Sequence, residues 1–311
     1  MPVKNGGKYL TSCVESILSQ SFNDWELIVV NDHSEDDTAE ILAKYSVNDS
    51  RIAAFNNPRK GIVNALEFGL LHCCGDFVSR MDSDDIMPEH RLATMIQALE
   101  KSSNGTIVTG LVEYIGAAPI SEGYQIYEQW LNHVNLSGSQ WDNIYRECTI
   151  ASPNWIIRRE DLIKSGGFAD LEYPEDYDLV FRWYQSGFKV KCLPQITLFW
   201  REHSERTSRN SENYTQQAFF ELKIKRFIEL ELNYSTLVLW GKNAKTKLVR
   251  GILERSNIPF HLYDLRDYKH IEQYPTSKLL VGVYPSESER QKLESYLDSI
   301  GRSVGKDWWY L

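Results

Sequence analysis

The sequence predicts an α/β fold around a mostly parallel, doubly wound sheet, and three observations carry that prediction. Strand-like and helix-like patterns alternate through residues 1–100, and WELIVVND (25–32) is a continuous apolar run of the kind buried inside a parallel sheet. Acids also stand where such strands end, at Asp32 and Asp82. Open sheets of this kind gather ligands at the C-terminal ends of their strands.

Leu10, Cys13, Val14, Ile17 and Leu18 fall at helical spacing and lead into WELIVVND. Ser34 with Asp37 has the form of a capping box for a helix through Ile41 and Leu42, and RIAAF (51–55) follows as a short strand. Gly61 precedes a helix with Ile62, Ala65, Leu66, Gly69, Leu70 and Cys73 on one face, and GDFVS (75–79) reads as the next strand. Pro88 and Glu89 open a helix with Leu92, Met95, Ile96 and Leu99, and TIVTGLVEYIG (106–116) is again a strand. Residues 117–150 are rich in Tyr and Trp with little periodicity, which favours a substrate-facing loop over an aromatic surface packed on the core. NWIIRRE (154–160), a helix EDYDLVFRWYQSG (175–187) capped by Gly187, and two short strands at FKVKCL (188–193) and ITLFWRE (196–202) come next.

A long helix is expected over 210–232, and a boundary near Asn233 separates a domain of residues 1–232 from one of residues 233–311. The second repeats the alternation: TLVLWG (236–241), a helix through Leu248 to Arg255, FHLYD (260–264), KLLVGVY (278–284), a helix from Glu287 to Ile300 and DWWYL (307–311). That pattern predicts a small Rossmann-like α/β unit. Its GKNAKT (241–246) has one glycine where a dinucleotide fingerprint needs three, so no dinucleotide is expected there.

The net charge of −9 argues against general nucleic-acid binding, which needs clustered positive groups. Five cysteines, odd in number and without a CxxC pair, suit a reducing compartment. Neither a membrane-spanning run nor a signal-peptide layout is evident, and the protein reads as cytoplasmic.

The chemistry concentrates in RMDSDD (80–85). A strand that delivers Asp82, Asp84 and Asp85 to its end calls for a cation, and hard divalent ions take carboxylate oxygens together with substrate phosphates. A solvated turn that caps the next helix is the competing reading. Asp176 is similarly ambiguous, since Pro174, Glu175 and Asp176 also form a dipole-favoured first helical turn.

Four segments in order resolve these ambiguities: MPVKNGGKYLTSCVESILSQSFNDWELIVVNDHSEDDT, GDFVSRMDSDD, SPNWIIRREDLIKSGGF and PEDYDLVFRW. Together they resemble the family-two glycosyltransferases, inverting enzymes of the GT-A fold, over about residues 1–208. The resemblance implies a nucleotide-binding entry at Pro2, Val3 and Asn5, with Asp32 holding the base, and a DxD-type motif in which Asp84 ligates Mg²⁺ or Mn²⁺. Asp82 reaches the ribose or shares the metal, Ser83 belongs to the same donor segment, and Asp85 is a third candidate. Arg80 either contacts the phosphates or pairs with these acids. Lys60 and Gly61, with Arg59, line the nucleotide pocket or form a solvated basic turn. Asp176 is implied as the base that deprotonates the acceptor hydroxyl, with Glu175 orienting the acceptor and Asp178 structural. His203, in REHSERTS, completes the metal shell or touches the diphosphate, and Arg206 shares that ambiguity.

The activity so implied is transfer of a sugar from a nucleoside diphosphate, UDP favoured, to a glycan or lipid-linked acceptor. Surface polysaccharide assembly, with peripheral association at the inner membrane face, would be its setting. A nucleotidyltransferase and a non-catalytic nucleotide-sugar or glycan-binding module are the rival readings. The first lacks support because no glycine-rich basic loop for a triphosphate is present. Two departures from the family pattern stand out. The chain begins at MPVKN, so most of the apolar first strand is missing from the sequence, as a misassigned start or truncated gene would produce. Glu67 replaces an amide common in relatives, which adds a negative charge near the donor site.

Overall fold

The computed structural model describes residues 1–311, which fold as two compact units, Met1–Gly138 with Ile150–Arg206 and Ser139–Thr149 with Thr207–Leu311. The first unit begins β1 (Pro2–Val3), α1 (Gly7–Leu18), β2 (Leu27–Asn31), α2 (Thr38–Asn48), β3 (Ile52–Asn56), α3 (Ile62–His72) and β4 (Phe77–Ser79). It continues through α4 (Arg91–Glu100), β5 (Thr106–Gly116), α5 (Glu122–Ser137), β6 (Trp155–Arg158), α6 (Arg159–Lys164), α7 (Glu175–Gln185) and β7 (Lys189–Glu202). A parallel sheet β1-β2-β3 and a sheet ordered β4-β6-β5-β7 share one hydrophobic core, with Val3, Leu10, Val29, Met95, Leu99, Val108 and Leu198 in a single cluster. Parallel pairing dominates as expected, and β6 alone runs antiparallel to its neighbours.

The apolar run becomes β2, buried at every position, and α1 buries the predicted Leu10, Cys13, Val14 and Ile17. The capping box at Ser34 does not form. Ser34 Oγ instead accepts the Asn5 amide at 2.9 Å, and Asp36 Oδ2 accepts the Gly7 amide at 2.9 Å. The acidic loop after β2 thus caps the start of α1, a neighbouring helix, and leaves its own helix to begin at Thr38. A Cβ at Gly7 would collide with the Asp37 carboxylate, which is why the approach needs glycine.

Three further expectations give way. Residues 117–150 are not an irregular loop: they carry the 16-residue α5, whose Asn132 amide bonds both the N–H and C=O of Val112. On β5, β6 pairs with Ile107–Thr109 alone, so this polar helix face serves the part of β5 that β6 leaves uncovered. The two strands after α7 are one, the 14-residue β7, because a bulge around Pro194 absorbs the residue that cannot donate to the ladder. Gly187, at φ 71°, ends α7 as predicted.

The long helix expected over 210–232 is divided into α8 (Thr207–Asn210), a short turn and α9 (Gln216–Phe227), which runs into a π turn at Ile228–Leu232. β8 (Leu237–Trp240), α10 (Ala244–Arg255), β9 (Phe260–Tyr263), β10 (Lys278–Val281), α11 (Glu287–Ser299) and β11 (Trp308–Tyr310) follow, with an all-parallel sheet ordered β11-β10-β8-β9. The division falls at Arg206, ahead of Asn233, because Phe227 packs edge-on against Trp309 at 5.3 Å and ties α9 to this sheet. Tyr145, from the inserted 139–149 segment, packs against the same two rings. No helix is long and apolar enough to cross a membrane.

Candidate active site

At the end of β2, Asp32 is buried and accepts Asn57 Nδ2 at 2.7 Å and the Gly61 amide at 2.9 Å. Gly61 adopts φ 117°, and a Cβ there would come within 3.7 Å of the Tyr173 hydroxyl. Asp32, Asn57, Gly61 and Tyr173 therefore form one wall at the N-terminus of α3. Lys60, next to Gly61, has an exposed side chain, and its carbonyl accepts Asn64 Nδ2 at 2.8 Å. Arg59 pairs with Glu67 at 2.6 Å, which offsets the charge that Glu67 adds.

Pro2 and Val3 lie buried beside Val30 and Asn31, and Asn5, at φ 52°, bridges to the loop after β2 through Ser34 and Glu35. These three residues hold the wall through backbone pairing and turn geometry. Gly6 brings this turn to the acidic segment, since a Cβ there would lie 3.2 Å from Ser83 Oγ.

After β4 the acids separate into different environments. Arg80 donates through Nε to Asp82 Oδ1 at 2.8 Å and through Nη1 to Glu175 Oε1 at 3.1 Å. Of the two alternatives for Arg80, the geometry is that of the acid-paired arginine. Burial works against its charge, but Asp82, Glu175 and Asp176 outweigh that and hold it protonated. Asp84 Oδ2 meets His203 Nε2 at 2.9 Å. Asp85 is buried, and its Oδ1 accepts the Arg201 amide at 2.7 Å while Oδ2 has no partner. Burial, with Asp84 and Asp82, pushes its carboxyl well above the usual range, and its bond to the Arg201 amide ties the end of β7 to this segment.

Asp176 opens α7, beside the buried Glu175. Desolvation and the Glu175 charge push its carboxyl up to about 7, against the opposing pull of Arg80. A carboxylate poised there is matched to proton transfer near neutral pH. Asp178 is fully buried and accepts the Glu172 amide at 3.0 Å, which ties down the entry to α7.

No group of three or more His, Cys, Asp or Glu side chains converges as a metal cage. Asp84 and His203 nevertheless fit a shared ion. Asp84 Oδ2 and His203 Nε2 meet directly at 2.9 Å, so the two side chains already share one place, and they would supply an oxygen and an imidazole nitrogen to a divalent ion. An oxygen and an imidazole nitrogen on one edge leave the other positions to phosphate oxygens and water.

Sequence reasoning named Arg206 but missed two residues that support this pair, Tyr9 and Arg201. Arg201 Nε donates to the Asp84 carbonyl at 2.7 Å, and its guanidinium lies 4.9 Å from the Tyr9 ring. Tyr9 packs 4.6 Å from the His203 ring. Arg206, paired with Glu202 at 3.3 Å, stays charged because Tyr114 and the acids at 84, 85 and 202 outweigh its burial. The signal available was the density of Arg and His after β7, in WREHSER.

Parallel strands that end in carboxylates, with a basic and imidazole-bearing strand closing over them, define a GT-A-type nucleotide-sugar transferase architecture. S. aureus TarS in complex with UDP-GlcNAc has this fold, with a TM-score of 0.54 at 18% identity over 82% of this chain and 70% of that one. So does the mannosyltransferase PcManGT from Pyrobaculum calidifontis in complex with GDP-Man and Mn²⁺, with a TM-score of 0.55 at 16% identity over 98% and 75%. In sequence, the glycosyltransferase GlyG of Streptococcus pneumoniae is 31% identical over 87% of this chain and 92% of its own length. An uncharacterized glycosyltransferase of Haemophilus influenzae is 25% identical over 87% and 88%. The family described as glycosyl transferase family 2 matches residues 1–166, and the chain belongs to it.

Proposed function

We propose that the protein is a metal-dependent inverting glycosyltransferase that moves a sugar from a nucleoside diphosphate to a glycan or lipid-linked acceptor. The observation that carries this reading is the juxtaposition of two acidic centres, Asp82 and Glu175–Asp176, joined through Arg80. One suits the donor and the other the acceptor.

In this reading Asp32 and the Asn57–Gly61 turn receive the base, and Asp82 receives the ribose. Asp84 and His203 would hold Mg²⁺ or Mn²⁺, which supplies positive charge to a departing diphosphate. Asp176 takes the proton of the acceptor hydroxyl as its oxygen bonds to the anomeric carbon. The bond from that carbon to the diphosphate breaks on the opposite face, and the diphosphate leaves with the electron pair. Glu175 orients the acceptor side. A UDP-sugar is the favoured donor, in keeping with the UDP-GlcNAc complex of TarS, while PcManGT makes a GDP-sugar the alternative. We place the work in surface polysaccharide assembly at the cytoplasmic membrane face, with the second unit as an appended Rossmann-like module.

Calorimetric titration with UDP and GDP, each with and without Mn²⁺, tests the donor site. Metal-dependent binding of one nucleotide that Asp84→Asn abolishes is the expected result. Equal binding with and without metal would overturn the metal role, and transfer retained by Asp176→Asn would overturn the base.

A further inference from the structure

We infer that Arg80 is a positioning residue that locks the start of α7 onto the end of β4, and is not a ligand of the donor's diphosphate. The inference rests on the proposed roles of Asp82 and Asp176. Its guanidinium meets two carboxylates, Asp82 at 2.8 Å and, 95 positions along the chain from Arg80, Glu175 at 3.1 Å. The side chain of Arg80 is 5% exposed and that of Glu175 1%, whereas that of Asp82 is 25% exposed. The lock is therefore dry on the base-helix side and open on the donor side. Two of the guanidinium's donors are held in directed bonds to carboxylates and the side chain is 5% exposed, so little of the fork is open to a further anion.

The lock is braced from behind. Arg91, itself fully buried, donates to Ser79 Oγ at 3.0 Å and to the Pro153 carbonyl at 2.6 Å, which fixes the backbone from which Arg80 projects. β4 also pairs with β6 through Ser79 and Ile156. The far end is equally fixed, since Asp178 holds the Glu172 amide one turn beyond Glu175. Arg80 thus spans two rigid elements, and Asp176 inherits its place from the residue beside it. A misplacement of a catalytic group by about 1 Å costs about 100-fold in rate, so loss of the Glu175 contact belongs in turnover.

The test uses the full chain, with UDP plus Mn²⁺ as the binding probe and UDP release from UDP-glucose and UDP-N-acetylglucosamine as the turnover probe. Glu175→Gln keeps the shape of the contact and removes its charge, so it guards against a misfolded Arg80 variant. For Glu175→Gln the expected result is a fall in kcat of about 100-fold with UDP affinity held within about threefold, and Arg80→Met, which also frees Asp82 at the ribose, is expected to lose at least as much in kcat. The double variant is expected to be no slower than the worse single one, because both break the same link. Arg80→Lys is expected to restore part of the rate, since an ammonium offers the charge without the fork. Hydrogen exchange at residues 171–178 is expected to quicken in Glu175→Gln.

A tenfold or larger loss of UDP affinity in Arg80→Met that Asp82→Asn does not reproduce, with Glu175→Gln unaffected, would overturn the lock in favour of a phosphate contact. Lowered thermal stability with unchanged kcat would reduce it to a fold-only ion pair. Failure of the wild-type protein to turn over either donor and to bind UDP or GDP would sink the transferase reading by itself. Unchanged exchange at 171–178 would sink the lock even in a protein that turns over.

Discussion

The two units build the same kind of strand edge and use it in opposite ways. In the first, β2 and β4 end in Asp32 and in the acids 82, 84 and 85, and Asp85 keeps an oxygen without a partner. In the second, the equivalent place lies between the ends of β8 and β10, where the strand order reverses direction. There Asn243 caps α10 through Thr246 at 2.8 Å and donates to the Gly282 carbonyl at 3.0 Å. Gly241 and Gly282 both crowd the Thr246 hydroxyl, and Lys242 pairs with Asp264 at 3.1 Å. One edge gathers four carboxylates, of which Asp82 meets Arg80, Asp84 meets His203 and Asp85 keeps one oxygen over, while the other turns its polar groups on each other. Architecture alone therefore says nothing of function. What decides is whether the groups at the strand ends are satisfied within the fold.

The sharpest way to separate the two edges is to neutralise a charge at the first. Asp176→Asn should lower turnover by about 10³-fold, as measured by UDP release, because proton transfer is removed while donor binding is left intact. Alteration of the second edge, by contrast, should leave turnover unchanged.

pH sharpens the contrast further. Asp176 lies near 7 in the folded chain against an ordinary 3.8, so the native state binds a proton that the unfolded chain releases between those values. Stability should consequently fall as pH rises from about 4 to about 7 and level off above. Activity should move the other way, rising through about pH 7 as the base loses its proton. Asp176→Asn removes the burden, so urea titration should find it more stable than the wild type at pH 8 by about 2–4 kcal/mol and no different at pH 4.

At the second edge, Asn243→Ala should cost about 1 kcal/mol of stability by urea titration, from loss of the helix cap, with turnover within about twofold of wild type. Glu67→Gln is the smallest change expected. Its exposed pair with Arg59 contributes at most about 0.5 kcal/mol, and UDP affinity should not move measurably.

Most strands and helices were legible because their burial follows a strong period: β2 is apolar throughout and α1 shows one clean face. α5 escaped because few of its residues are buried, Leu131, Val134 and Asn135 among them, and its contact with β5 is made by polar side chains. The inserted 139–149 segment escaped for another reason. Tyr145 finds its partners at Phe227 and Trp309, far along the chain, and no local pattern reports so distant a contact. At the site, the acids could be read from their place after strands, as could His203 from its setting. Arg80 was visible as a residue but not as a bridge, because Glu175 reaches it only through tertiary structure. Tyr9 and Arg201 carry no signature of their own: an aromatic on an amphipathic helix and an arginine at a strand end are ordinary in sequence.

The irregularity in β7 works as a phase setting. While β5 advances from Gly110 to Val112, β7 advances from Leu193 to Leu198, and one-to-one pairing then resumes as far as Gly116 and Glu202. The surplus is odd, and side chains alternate faces with a period of two. Whether Arg201 addresses Asp85 and His203 addresses Asp84 is therefore decided some residues upstream, in a stretch that touches neither acid. One residue removed there would swing the imidazole to the other face of the sheet and draw it back by about 3.3 Å, with every active-site residue still present. Length changes in this strand should accordingly arise in even steps, a constraint on parity that no inspection of the site itself would reveal.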